Sequence, residues 1–508
     1  AVQQLIFGAS NVGGLNRYSL AMALPMGTDG SKRADPALHG ETLSTASTDC
    51  SSSSGGPGDP VACWALPCPE RGEDKYLGAA VGDDGYVYAV PGSAKCVLRI
   101  NPQTGDVSKL GDLRGSFVDC SLRRKQFKWL RCVTAADPVY GDGAAIYGIP
   151  CNAHAVLKIV PRTGEVTTLR NFVRNDGSIG VNPDLPGRWK WHGGQVAPDG
   201  NIYCAPANAE RVLMILPRTG EVRLIGPALL PGVQQKWYGA LEGFDGCIYC
   251  TPHNADAVLK IRPETGEVSM MGNLGLGSWK WHGCVRGRNG TLYGIPSHAS
   301  RVLKIVPETG TICMIGDEDI DSGPLWEDKR RWHVGKYMYG GGTLGPDGCV
   351  YCFPYDAYKV LKIEPTAGGE EKVSLLGITD GCMKDFQCHN KWQNGFVGRD
   401  GCVYAIPVSA PAILKIDPTS HEASTIGRDL CGPGLEKWEG GVVNPADGAL
   451  YCVPQNADFV LKINPPPRHV AISEAQVASA QKQPGERSGR SGKDGAGCSC
   501  MAWACNIS

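Results

Sequence analysis

Short apolar runs alternate with polar turns through most of the chain, and the clearest instance is Lys190–Gly226, KWHGGQVAPDGNIYCAPANAERVLMILPRTGEVRLIG. The pattern predicts four strands. Gly193–Ala197 begins strand a, and Pro198-Asp199-Gly200 supplies an Asp-Gly reversal. Strand b runs Asn201–Ala205 and stops at Pro206, which has no N–H to continue a ladder. Strand c, Arg211–Leu216, ends at Pro217-Arg218-Thr219-Gly220, with Pro where φ near −65° is wanted and Gly where φ is positive. Strand d is Glu221–Ile225. A meander of this size cannot bury both faces alone, so copies of it must stack.

Eight copies are present, indexed by the strand-b tyrosines Tyr88, Tyr147, Tyr203, Tyr249, Tyr293, Tyr351, Tyr404 and Tyr451, each followed three residues later by Pro. Strand c reads VLRI, VLKI, VLMI, VLKI, VLKI, VLKI, ILKI and VLKI. Four-stranded units spaced 44 to 59 residues apart predict an all-β fold, an eight-bladed β-propeller of antiparallel blades. A linear solenoid has shorter coils and no reversing turns. The ring is expected over residues 75–472, between an N-terminal extension, 1–74, and a polar, Gly/Ser-rich tail, 473–508, both read as flexible or loosely ordered. Trp64-Ala65-Leu66-Pro67 imitates the end of strand b but lacks a strand c and lies too close to Tyr88 to be a blade. The extension is therefore expected to supply no repeat, and deleting residues 9–70 to leave stability nearly unchanged. The eighth copy lacks an obvious strand d, and either His469–Ile472 or Val2–Phe7 is expected to complete it.

Composition fits a turn-rich soluble β protein, with 68 Gly and 36 Pro. No run approaches the ~18 apolar residues of a membrane span. A net charge of −1 gives no bulk field that would recommend nucleic acid as a partner. The chain starts at Ala1 rather than Met, as a mature or trimmed form would. Of 22 cysteines, Cys247/Cys250 and Cys349/Cys352 have CxxC spacing, but residues i and i+3 of a strand point to opposite faces, so one metal cannot take both. Cys204, Cys250, Cys352 and Cys452 occupy a slot that Ala or Gly fills in the other copies, so they are expected to be buried, reduced packing residues. Cys382/Cys388 and Cys498/Cys500/Cys505 are freer to pair or to bind metal. With only two sequons, Asn289-Gly-Thr and Asn506-Ile-Ser, a reducing compartment is slightly favoured, though none is fixed.

Ten of the twelve tryptophans fall at or just before strand a, and a lysine precedes the aromatic in seven copies; the sixth has Met338-Tyr339. In an antiparallel meander the d–a and b–c connections share one face, and here the d–a loops are long and variable. Strand a is innermost, so Lys190, Trp191, Lys236, Trp237, Lys280, Trp281, Lys391, Trp392, Lys437 and Trp438 lie near the channel mouth. If the ammonium groups are exposed, these residues could clamp an anionic or sugar-like ligand. If the indoles are buried wedges between blades, they only pack, while the lysines snorkel outward. His192 and His282 share a Trp-His-Gly context and are the general-base candidates, without a carboxylate or nucleophile fixed beside them in sequence. Asp317, Asp319 and Asp321 open like a calcium loop, but Gly323 is one place late and no Glu closes it; a solvated acidic loop is the plainer reading. No cofactor is expected.

The DG-x-(I/V/L)-Y and (V/I)-L-x-I-x-P-x-T-G elements resemble those of the broad NHL, YVTN and virginiamycin-B-lyase-like propeller group over about residues 75–467. The resemblance implies the propeller. That group includes lyases, hydrolases and binding scaffolds, and neither the lyase histidine and acid nor the lactonase-type metal ring is matched to positions of this chain. The expectation is a non-enzymatic binder of a protein or small ligand on the d–a face. The alternative is a lyase or hydrolase with His192 or His282 near the channel.

Overall fold

The structure, a computed structural model, describes residues 47–50, 61–114, 126–137, 141, 143–169, 171–173, 179–181, 187–277, 279–317, 337–366, 370–379 and 390–468. All of them lie in the second of the chain's two compact units, Thr45–Ser508. The strands form eight antiparallel blades, with blades 6 and 7 joined into one sheet by a parallel Gly340–Gln393 bridge. Blade 3 is built as expected, from Trp191–Val196, Ile202–Pro206, Val212–Leu216 and Glu221–Ile225. Its innermost strand starts two residues earlier than Gly193, because Trp191 pairs with Pro206 across a bulge. Blade 3 also carries two further strands, Asn171–Val173, parallel to strand d, and Ile179–Val181.

Blade 8 corrects the reading of the N-terminal extension. Its inner strands are Trp438–Val443, Leu450–Pro454 and Phe459–Asn464, and its fourth strand is Val61–Pro67, antiparallel to Phe459–Asn464 with Trp64 opposite Lys462. Ser47–Cys50 pairs outside that strand in turn. Residues 61–67 thus belong to the ring and close it from the other end of the chain. Val2–Phe7 and His469–Ile472 lie outside the described residues. Val61–Pro67 serves this purpose because it is apolar on both faces. Val61 and Cys63 enter the core shared with blade 7, and Leu66 the core shared with blade 1.

The core lies between blades. Val133, Tyr147 and Ile149 of blade 2 pack on Trp191, Ile202 and Leu213 of blade 3, and equivalent clusters recur around the ring. Within blades, a clasp that sequence reading missed holds the first turn. In six blades the strand-b tyrosine donates its hydroxyl to the aspartate four residues before it, as in Tyr203–Asp199 (2.8 Å), Tyr351–Asp347 (2.8 Å) and Tyr451–Asp447 (2.6 Å), whereas Tyr293 of blade 5 donates to Glu371. The visible signal was the fixed spacing of four residues between them. Eight innermost strands converge on one axis, and glycine lets them approach closely: a Cβ on Gly440 of blade 8 would lie 2.0 Å from the Leu77 carbonyl oxygen of blade 1.

Candidate functional site

The residue that opens each innermost strand makes a hydrogen-bonded belt around the d–a mouth. Its backbone N–H donates to the residue after the strand-b proline of the preceding blade: Lys190 to Cys151 (3.0 Å), Lys236 to Ala207 (2.9 Å), Lys280 to His253 (2.8 Å), Met338 to Ser297 (2.9 Å), Lys391 to Tyr355 (2.9 Å). Lys75 to Gln455, at 3.0 Å, closes the circle from blade 8 to blade 1. Each belt carbonyl accepts in turn from its own blade, as Lys190 does from Ala207 at 2.8 Å.

The expected ring of exposed ammonium groups is not formed. Lys190, Lys236, Lys391 and Lys437 are buried and Lys280 is half-buried. Their Nζ atoms donate to backbone carbonyls: Lys190 to Ala153 (2.9 Å) and Gly187 (3.2 Å), Lys437 to Ala410 (2.8 Å) and Gly434 (3.2 Å), Lys391 to Tyr355 (3.0 Å). Lys236 reaches Val233 and Lys280 reaches Ala255 and Gly275. Burial pushes Lys190, Lys236 and Lys280 down to about 8. The physical reason is local. With its backbone in the belt, the side chain folds back onto carbonyls of the b–c and d–a loops. Trp191, Trp237, Trp281, Trp392 and Trp438 are buried between blades, and each indole N–H donates to the carbonyl just before strand c, Trp237 to Ala257 at 2.8 Å for example. This is the wedge geometry.

The next residue along each innermost strand decides the character of the mouth. It is Leu77, Leu130, His192, Tyr238, His282, Gly340, Gln393 and Glu439 in blades 1 to 8. His192 and His282, the sequence candidates, come together with Tyr238 between them, and the b–c loop adds His253, which sequence reading missed. Tyr238 stacks on His192 (4.0 Å between ring centres, 2°) and on His253 (4.1 Å, 5°), while His282 stands edge-on to all three. Trp279, Tyr337 and Tyr355 extend this wall into blade 6. Tyr337 also meets His282 Nδ1 through its hydroxyl. His192, Tyr238 and His282 share one repeat position, but only the third dimension brings His253, Trp279, Tyr337 and Tyr355 against them, with four blades contributing.

Burial, reinforced by Arg131 and His282, holds the His192 imidazole well below its ordinary value; burial and the other histidines do the same to His253. His282 is pushed down to about 3, chiefly by burial. All three are neutral at pH 7. A base this weak is poorly matched to proton abstraction at neutral pH.

Blades 7, 8 and 2 carry a polar group instead. Arg131 Nη2 pairs with Glu439 Oε1 at 3.2 Å and Nη1 donates to Leu77 O at 2.8 Å; Gln393 Nε2 donates to the same Glu439 oxygen at 3.3 Å. Burial raises the Glu439 carboxyl and Arg131 opposes it. A cavity beside this group is lined by Leu77, Arg131, Gly193, Asn394, Phe396 and Gly440, from the innermost strands of blades 1, 2, 3, 7 and 8.

Cys204, Cys250, Cys352 and Cys452 are fully buried, and burial pushes their thiols far up. The CxxC partners part company: Cys250 packs between blades 3 and 4, Cys247 between blades 4 and 5. Cys382, Cys388 and the tail cysteines lie outside the described residues, as do Asp319 and Asp321; Asp317 is exposed. Among the described residues, no group of three His, Cys, Asp or Glu side chains could hold a metal ion, and no helix is long and apolar enough to cross a membrane.

No protein-family model and no curated protein matches the chain. Among solved structures it is similar to a catalytically inactive virginiamycin B lyase from Staphylococcus aureus with quinupristin (14% identity, 79% of this chain and 98% of that chain, TM-score 0.46). It is also similar to Kuenenia stuttgartiensis hydrazine synthase (15%, 70% and 99%, 0.44) and to the extracellular domain of a putative one component system from B. thetaiotaomicron (10%, 76% and 52%, 0.41). Lyase-like and gluconolactonase-like propellers are thus among its neighbours, in the group its repeats resemble. At these scores the neighbours carry no argument about activity, and the propeller rests on the chain's own sheets.

Proposed function

We propose that this chain is a binding propeller that takes a small organic ligand at the d–a mouth, against the imidazole and aromatic wall of blades 3 to 6. The supporting observation is the His192–Tyr238–His253 column with His282 edge-on to it, bordered by the part-exposed Trp279 and Tyr355. Rings held at fixed angles by a rigid belt offer a planar surface at little ordering cost. The strand-opening lysines and tryptophans of sequence analysis support this site from behind rather than line it. Weak bases at His192 and His282 favour binding over the lyase or hydrolase alternative.

The test is saturation-transfer NMR of the full chain against indole and small glycosides, repeated with Trp279→Ala/Tyr337→Ala. Binding to the native chain that disappears in the variant, with unchanged thermal unfolding, is the expected result. No binding, or binding indifferent to the variant, would overturn the proposal.

A further inference from the structure

We infer that the ligand is an uncharged, polyhydroxylated ring, of the chemistry of a neutral sugar; this rests on the binding reading above. Three sets of observations lead there. First, the charges at the mouth already have partners. The belt lysines donate to carbonyls, Arg131 is paired with Glu439 at 3.2 Å, and the imidazoles are neutral. A charged ligand entering this buried ring would lose its hydration, and the belt ammonium groups are held behind the wall on loop carbonyls rather than free to meet it.

Second, hydrogen-bonding capacity remains. His192 Nδ1 is buried without a hydrogen-bond partner and the His253 ring has only the Gln235 backbone against it; the two residues are 8% and 2% exposed. Both bonds to Glu439 fall on Oε1, which leaves Oε2 for a ligand donor. A neutral imidazole ring asks for one donor and one acceptor in all, and a carboxylate oxygen asks for a donor. A hydroxyl both donates and accepts, so several hydroxyls on one ring can meet all of these. Third, Trp279 and Tyr355, the part-exposed rings at the border of the wall, supply aromatic faces for the C–H surface of such a ring. A purely apolar planar ligand would use the wall and leave the imidazoles and Glu439 unsatisfied, which is costly for buried groups.

The experiment is calorimetric titration of the full chain with neutral disaccharides of glucose, galactose and mannose, and with glucuronate, glucosamine and indole. At least one neutral disaccharide is expected to bind about tenfold or more tighter than glucuronate and glucosamine. Its affinity should change less than about twofold between low and high salt, since no ion pair is screened. Glu439→Gln removes the charge that compensates Arg131, so it should raise glucuronate affinity by about tenfold and weaken the neutral sugar. The titrations of the native chain decide the matter even if that variant folds poorly. Tighter or salt-sensitive binding of glucuronate or glucosamine would overturn the inference. Binding of indole alone would overturn it too, while leaving the binding site standing. Binding of none of the probes would overturn both.

Discussion

Lys190 sits in a slot that lysine fills in seven blades and Met338 in the sixth. The belt explains the exception, because the inter-blade bond uses backbone atoms, Met338 N–H to Ser297 O at 2.9 Å. Lys190→Met should therefore fold, at a cost of about 1–3 kcal/mol for the two carbonyls it abandons, and Lys190→Ala should cost more through lost packing. Because burial lowers the folded lysine to about 8 from an ordinary 10.5, the unfolded chain holds more protons between those values. Stability due to Lys190 thus rises with pH across that window, and the deficit of Lys190→Met should widen by up to about 1.4 kcal/mol per pH unit. Urea unfolding at pH 7.5 and 9.5 measures this. The histidines act at the other end. Their folded values lie below 6.5, with His282 at about 3, so stability should fall as pH drops below 6.5 and the unfolded chain alone takes up protons. His192→Tyr, the residue blade 4 carries in that slot, should flatten the slope of Tm against pH between 6.5 and 4.

A blade is held mainly by its neighbours. Trp191 is buried against blade 2 and bonds Arg211 O at 3.0 Å. Trp191→Ala should cost about 3–5 kcal/mol, and Trp191→Tyr less, since Tyr76 and Tyr339 fill this slot in blades 1 and 6. At the axis the constraint is reversed and side chains are excluded. Gly440→Ala would set a methyl group 2.0 Å from a backbone oxygen of blade 1, whereas a Cβ on Gly377 meets nothing within 4 Å. The first should lower the unfolding temperature sharply and the second barely. Equal effects would mean that the inner strands are not packed this closely.

At the scale of the molecule, the ring depends on a strand far from the repeats in sequence. Deleting residues 47–67 removes Val61 and Leu66 from two inter-blade cores and exposes the edge of Phe459–Asn464. The cost should be about 3–6 kcal/mol for two buried aliphatic side chains. A loss under about 1 kcal/mol by denaturant titration would show that the ring closes without them.

Eight tyrosine–proline pairs and eight copies of the strand-c motif determined the blade and the number of blades. Each is a local consequence of residue type: Asp-Gly reverses a strand, Pro ends one, and an amphipathic sheet must stack. The small-residue slot likewise placed Cys204 and Cys250 in cores. Closure was decided by tertiary structure, because Val61–Pro67 pairs with a strand from the far end of the chain and carries no repeat of its own. So was the fate of Lys190 and its equivalents. Lysine beside tryptophan reads as a ligand clamp until the belt shows that backbone carbonyls take the ammonium group. The His192–Tyr238–His253 wall was not legible either, since His192 comes from blade 3 and the other two from different elements of blade 4, a strand and the b–c loop, which meet only in the folded ring.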